Sequence, residues 1–201
     1  MTAYAADSGN RREDILAIAA GLFAENGFDN TSMRQIGATA GMQAASLYHY
    51  FRTKDDMLDA IVRDYLTELP GAYRRIMAET ANPRDVLPAF VELALRGAAR
   101  NRAVMTILVH ERKSLAGRDR FAFIEETFDE IEAIWLGVVE AGIAQGIIRA
   151  DLNARVALRM MLDLVGSVAQ WYRPNSRRYT LDEVVKTELD FIFGGVMVGG
   201  R

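Results

Sequence analysis

The sequence predicts an all-α fold, and three observations carry that reading. Apolar residues recur at intervals of three or four through most of the chain, cap residues stand at the heads of those runs, and no stretch alternates apolar and polar residues as a half-buried strand would. Half of the 201 residues are apolar, which supplies a sizeable core.

After a polar arm at residues 1–10, Ile15, Ile18, Ala19, Leu22 and Phe23 share one helical face, and the run stops at Gly27, a residue suited to a C-cap. In the second helix Met33, Ile36 and Ala40 form a short apolar stripe closed by Gly41, with either Thr31 or Ser32 placed to cap its start. A third, shorter helix brings Leu47 and Phe51 to one side. Gln43, Ala44 and Ser46 face elsewhere, and with them Tyr48 and His49. Thr53 and Asp56 have capping-box spacing for a long fourth helix, in which Met57, Leu58, Ile61, Val62, Tyr65, Leu66 and Leu69 keep one face apolar as far as Pro70.

The prolines from Pro70 to Pro88 predict a break or kink. A helix running from Pro88 into "RGAARN" follows, and another through "AVMTILVHERKSLAG". Phe121, Ile124, Phe128, Ile131, Trp135 and Val138 predict a helix of at least about six turns. "AQGIIRADLN" reads as a loop, with Asp151 or Asn153 as the next cap. The segment "ARVALRMMLDLVGSVAQWY" is apolar on nearly every side, so it is expected to face its own core on one side and a second subunit on the other. Thr180 and Glu183 box the start of a last helix carrying Val185, Leu189, Ile192, Phe193 and Val196.

Composition narrows the chemistry. Without cysteine there are no disulfides, no thiolate nucleophile and no zinc-finger ligand set, and only His49 and His110 offer imidazoles. His110-Glu111 begins like a zinc-protease motif, but Ser114 stands where its second histidine belongs. No metal, cofactor or catalytic residue is expected. The amino terminus has no apolar signal region and no run reaches the roughly 18 apolar residues of a membrane span, so the expected address is the cytoplasm.

A net charge of -3 argues against a non-specific nucleic-acid binder. Residues 1–60 carry five basic against eight acidic side chains, yet between Arg11 and Lys54 the balance is five against four. A local positive face is allowed; a strongly positive domain is not.

A short helix closed by glycine, a tight turn and a second short helix form the pattern of a helix-turn-helix, whose second helix enters the major groove. Ala44 and Ala45 are small enough for close approach, Gln43 can pair with adenine and Ser46 with either class of base. Tyr48, His49 and Lys54 suit phosphate contacts, which fix register. The competing reading makes the two tyrosines half-buried core and His49 plain surface.

The segment "TSMRQIGATAGMQAASLYHYFRTKDDML", residues 31–58, closely resembles the amino-terminal signature of the TetR family of bacterial transcriptional repressors. The matching positions are Thr31, Ile36 with Gly37, Ala40 with Gly41, Ala45, Leu47 with Tyr48, Tyr50 with Phe51, and Lys54 with Asp55 and Leu58. The resemblance implies a DNA-binding domain at 1–53, a ligand-binding and dimerisation domain at 54–201, and a homodimer on a palindromic operator released by a ligand. It implies DNA contacts from Thr31, Arg34, Gln43, Ala44, Ser46, Tyr48, His49 and Lys54, and a dimer through residues 153–172 and 180–196. Three positions depart from the family pattern. Gly37 replaces an alanine, at roughly 1 kcal/mol of helix propensity; Gln43 replaces a capping serine; Ala45 replaces a glycine. Gln43 either still caps the recognition helix or is released to read a base.

Candidates for the effector pocket come from the long helices: Met105, Leu108, Val109, Phe128, Trp135, Met161, Leu164 and Trp171. Such a lining suits a small apolar effector. The loop "QWYRPNSRRYT", with Arg173, Arg177 and Arg178, and the segment "GIIRADLN" resemble the TetR-type branch that senses acyl-CoA thioesters, which need an apolar tunnel and cations for phosphates. Three other classes compete: an enzyme, for which no nucleophile elbow is visible; an activator, or a regulator whose effector strengthens DNA binding; and a helical dimerisation protein without DNA binding.

Overall fold

The structure, a computed structural model, describes residues 8–115, 117–174 and 178–197, with only the backbone of 8–10. The start of the amino-terminal arm, and Arg177 of the arginine-rich loop, lie outside the described residues. The elements are α1 (Ser8–Asn26), α2 (Met33–Thr39), α3 (Ala44–Leu47), α4 (Lys54–Leu66), α5 (Leu69–Glu79), α6 (Pro83–Arg100), α7 (Arg102–Leu115), a 3-10 turn (Asp119–Phe121), α8 (Ala122–Ala144), α9 (Ala154–Trp171) and α10 (Leu181–Val196). Among the described residues there is no strand, only an isolated bridge between Ile148 and Met197. None of these helices is long and apolar enough to cross a membrane.

Two compact units divide the chain, one within residues 1–66 and 103–125, the other within 67–102 and 126–201. In the first, α1 packs on α2 and α4, and α2 on α3. Its core holds Ile15, Phe23, Ile36, Leu47 and Leu58, each at most 1 % exposed. The expected box at the head of α4 forms: the Thr53 N–H donates to Asp56 (2.9 Å) and the Asp56 N–H to the Thr53 hydroxyl (3.1 Å). From α7, the Glu111 carboxylate accepts the Phe28 N–H at 3.1 Å, which ties this helix to the α1–α2 connection.

The second unit is built on α6, which packs against α5, α9 and α10. Tyr73, Phe90 and Trp135 meet edge-on or tilted at its centre, with ring centroids 4.8 to 5.5 Å apart. Such pairs add about 0.5–1.5 kcal/mol each beyond the area they bury. The capping box at the head of α10 forms as expected, the Thr180 N–H donating to Glu183 at 2.7 Å and the Glu183 N–H to the Thr180 hydroxyl at 3.2 Å. Asn153, one of the two candidates, caps α9 by accepting from the Arg155 and Val156 N–H groups.

The expected break between Pro70 and Pro88 is present, at Thr80 to Asn82 between α5 and α6, but the helix beyond it starts at Pro83 and not at Pro88. Pro70 lies in the first turn of α5, and Pro83 opens α6, positions where a missing N–H costs nothing because those donors have no intrahelical partner. Pro88 sits inside α6, and the carbonyl it leaves unpaired is that of Arg84, an exposed residue in the first turn. Within the break, the Asn82 side chain accepts the Arg84 N–H at 3.1 Å.

Candidate nucleic-acid interface

The recognition element is assembled from local chemistry. Ser32, not Thr31, caps α2: its hydroxyl accepts the Gln35 N–H (3.2 Å) while the Gln35 side chain accepts the Ser32 N–H (2.8 Å). Thr31 is buried at 2 % exposure and its hydroxyl binds the carbonyls of Leu22 and Gly27. The expected DNA contact by Thr31 is therefore corrected to a stitch that fixes the end of α1.

Gly41 turns the chain with φ +65°, a left-handed conformation that a side chain resists. Gly37 has a separate purpose. A β-carbon there would stand 3.3 Å from the Met42 carbonyl and 3.7 Å from both the Ala44 α-carbon and a Leu47 methyl, so its absence lets α2 lie close against α3. Arg11 of α1 reaches across to donate to the Ala40 carbonyl at 2.6 Å, bracing the same turn.

On α3, Leu47 and Phe51 are buried and anchor the helix, and Arg12 lies over the Phe51 ring at 4.9 Å. Gln43 occupies the cap position with extended backbone and its side chain makes no capping bond. Of the two alternatives, the released amide is the one realised. Gln43, Ala45, Ser46, Tyr48 and His49 are exposed and Ala44 is half-buried, and Arg34 is exposed on α2. These residues form a face of small and hydrogen-bonding groups.

Lys54 departs from expectation. Its ammonium donates to the carbonyls of Phe28 (2.7 Å) and Asp29 (3.1 Å) and sits 4.4 Å from the Phe28 ring, so it clamps the α1–α2 connection instead of standing free for phosphate. The acidic residues that follow are neutralised, two by partners remote in sequence and one by an arginine a turn along α4. Arg118 pairs with Asp55, Arg120 with Asp56 at 2.7 Å, and Arg63 with Asp59 at 3.0 Å. The hydrogen bond from Arg120 holds the Asp56 carboxyl below its ordinary range. Sequence reasoning missed Arg118, Arg120 and Glu111 because no local signal places them beside the recognition element; only tertiary packing does.

The profile of the bacterial regulatory proteins of the tetR family matches residues 15–61, and that of the tetracyclin repressor-like carboxy-terminal domain matches residues 80–196. The chain belongs to the TetR family. Within it, the HTH-type transcriptional repressor KstR2 of Rhodococcus jostii is 36% identical over 92% of this chain and 91% of its own. The solved structure of the ketosteroid transcriptional regulator KstR2 of Mycobacterium tuberculosis superposes with a TM-score of 0.89 at 32% identity, covering 94% of this chain and 95% of that one. AibR, solved in complex with isovaleryl coenzyme A and operator DNA, has a TM-score of 0.77 at 26% identity and covers 91% of this chain and 98% of its own.

In this TetR-family chain the residues expected to line an effector pocket do not gather in one unit. Met105, Leu108 and Val109 lie on α7 in the first, where Leu108 is buried and Val109 is exposed. Phe128, Trp135, Met161, Leu164 and Trp171 belong to the second. Trp135 and Met161 are core, Phe128 and Leu164 are half-buried, and Trp171 is exposed. The indole N–H of Trp135 and one carboxylate oxygen of Glu188 are buried without a hydrogen-bond partner. Burial pushes the Glu188 carboxyl up to about 7.

Proposed function

We propose that the chain is a ligand-responsive, DNA-binding transcriptional repressor that acts in the cytoplasm as a homodimer on a palindromic operator and has no catalytic activity. The observation that carries this reading is the exposed face of α3, held from behind by Leu47 and Phe51 and presented by the Gly41 turn. Gln43 to Ser46 would read base edges, and Tyr48, His49 and Arg34 would fix the register on phosphate. Residues 1–53 serve as the DNA-binding domain, residues 54–201 as the ligand-binding and dimerisation domain. The exposed apolar side chains Val156 and Met160 on α9 and Phe191 on α10 support dimerisation through residues 153–172 and 180–196.

The effector is a small apolar molecule, an acyl-CoA thioester by preference; the relative crystallised with isovaleryl coenzyme A and operator DNA supports this class. Ligand binding favours a dimer whose two recognition helices no longer match successive major grooves about 34 Å apart, and the operator is released by population shift. A mobility-shift titration tests the reading. Duplex carrying the operator loses protein as acyl-CoA is added, and retention with every chain length from isovaleryl to palmitoyl would remove the effector and leave the DNA binding.

A further inference from the structure

The recognition element has little rigidity of its own. α3 is four residues long, Gln43 leaves its start without a side-chain cap, and α2, seven residues long, carries Gly37. Helices this short do not hold themselves together in water, so the orientation of α3 depends on what fixes the two ends of the element. Both ends meet groups from one distant region of the first unit, α7 and the 3-10 turn after it.

Phe28 is the fixed point at the entry. Its N–H donates to Glu111 at 3.1 Å and its carbonyl accepts from Lys54 at 2.7 Å. Its ring lies edge-on to Phe23 at 5.1 Å, with the Lys54 ammonium 4.4 Å and the Arg118 guanidinium 5.8 Å from its centroid. At the exit, Asp55 pairs with Arg118. Asp56 is shared: one oxygen takes the Thr53 N–H at 2.9 Å, which closes the head of α4, and the other takes Arg120 at 2.7 Å. Arg120 also lies 3.9 Å from Asp59. The two arginines work from a firm base. Leu115 and Phe121 on either side are buried, the Arg118 N–H donates to the Leu115 carbonyl at 2.9 Å, and the Phe121 N–H donates to the Arg118 carbonyl at 2.8 Å.

Three acids just after a DNA-reading helix oppose a polyanion, so their presence there needs a reason. We propose that Arg118 and Arg120, through Asp55 and Asp56, and Glu111, through Phe28, are positioning residues that set the angle at which α3 meets DNA. The proposal rests on the DNA-binding reading above, and it makes Asp55 an acid that operator binding requires. Partly exposed pairs of this kind contribute little to global stability, so their loss is read in DNA binding before it is read in a melt.

Fluorescence-anisotropy titration of the full chain with the duplex that the wild type selects from a random-sequence pool tests it. Asp55→Asn decides by sign, since removing a negative charge beside DNA tightens binding when charge alone counts. The opposite is expected: Asp55→Asn and Arg118→Ala each weaken binding at least about fivefold, and the double variant weakens it no further. Hydrogen exchange without DNA gives a second readout. The Gly41, Met42 and Leu47 amides, which close the turn and α3, should exchange at least about threefold faster in Asp55→Asn, with the Leu95 amide of α6 unchanged. Should Arg118→Ala fail to fold, Arg120→Gln is expected to give the same loss and the same faster exchange. Binding by Asp55→Asn as tight as wild type or tighter overturns the proposal, and so does unchanged exchange in α2 and α3. Losses that multiply in the double variant overturn it too, by making Arg118 a direct phosphate contact. If the wild type selects no duplex, the DNA-binding reading fails, and the exchange rates alone decide whether these contacts position α3.

Discussion

Gln43 is the residue on which operator preference is expected to turn. Its amide makes no capping bond and is exposed, so it has hydrogen-bonding capacity to spare at the entry of α3. Gln43→Ala should relax selection at one base pair of each half-site, worth about 1–3 kcal/mol of discrimination, read as a change in the selected consensus. His49→Ala distinguishes two roles: equal weakening on specific and mutated operators marks a phosphate contact, and preferential weakening on the specific site marks a base contact. Thr31 and Lys54 show why single residues were less legible than their motif. Both fit the family signature, yet the carbonyls that engage them come from the end of α1 and the α1–α2 connection, which no local pattern reveals. Glu188 carries a pH signature. Its carboxyl is raised from 4.5 to about 7, so the native state favours the protonated form. The stability it contributes is complete below the unfolded value of 4.5 and is lost as pH rises through about 7. The unfolding free energy should therefore fall between pH 5 and pH 8 more in the wild type than in Glu188→Gln, by on the order of 1 kcal/mol because the side chain is half open to solvent, and thermal melts at the two pH values read it as a larger drop in Tm.

At the scale of elements, the helix order and the capping boxes at Thr53 and Thr180 follow directly from spacing, since cap chemistry is local. The break expected between Pro70 and Pro88 is there, at Thr80 to Asn82, but α5 and the start of α6 at Pro83 were not legible, because a proline is tolerated in the first turn of a helix and sequence alone does not say where that turn lies. Glycine 37 shows the same limit: its low helix propensity is visible in the sequence, but the Met42 carbonyl that needs the space is not. The Ser32–Gln35 box holds the start of α2, so Ser32→Ala should cost about 1 kcal/mol and lower the Tm by a few degrees in a thermal melt, with loss of DNA affinity following from the disordered turn. By contrast, Arg120→Ala removes a pair exposed on both sides, and its effect on stability should stay below about 1 kcal/mol.

For the whole molecule, the acidic balance of the first sixty residues, five basic against eight acidic side chains, runs against non-specific nucleic-acid binding. The structure resolves that tension by pairing, since Asp55, Asp56 and Asp59 each meet an arginine, and Arg118 and Arg120 come from a segment far along the chain. What the composition could not supply was this placement. The central claim is that two copies of the α3 face read one palindromic site. Selection of bound duplexes from a random-sequence pool by the full chain, followed by sequencing, tests it most directly. Two inverted half-sites with centres about one helical turn, roughly 10 base pairs, apart are expected; recovery of no common sequence, or of a single unrepeated element, would contradict it.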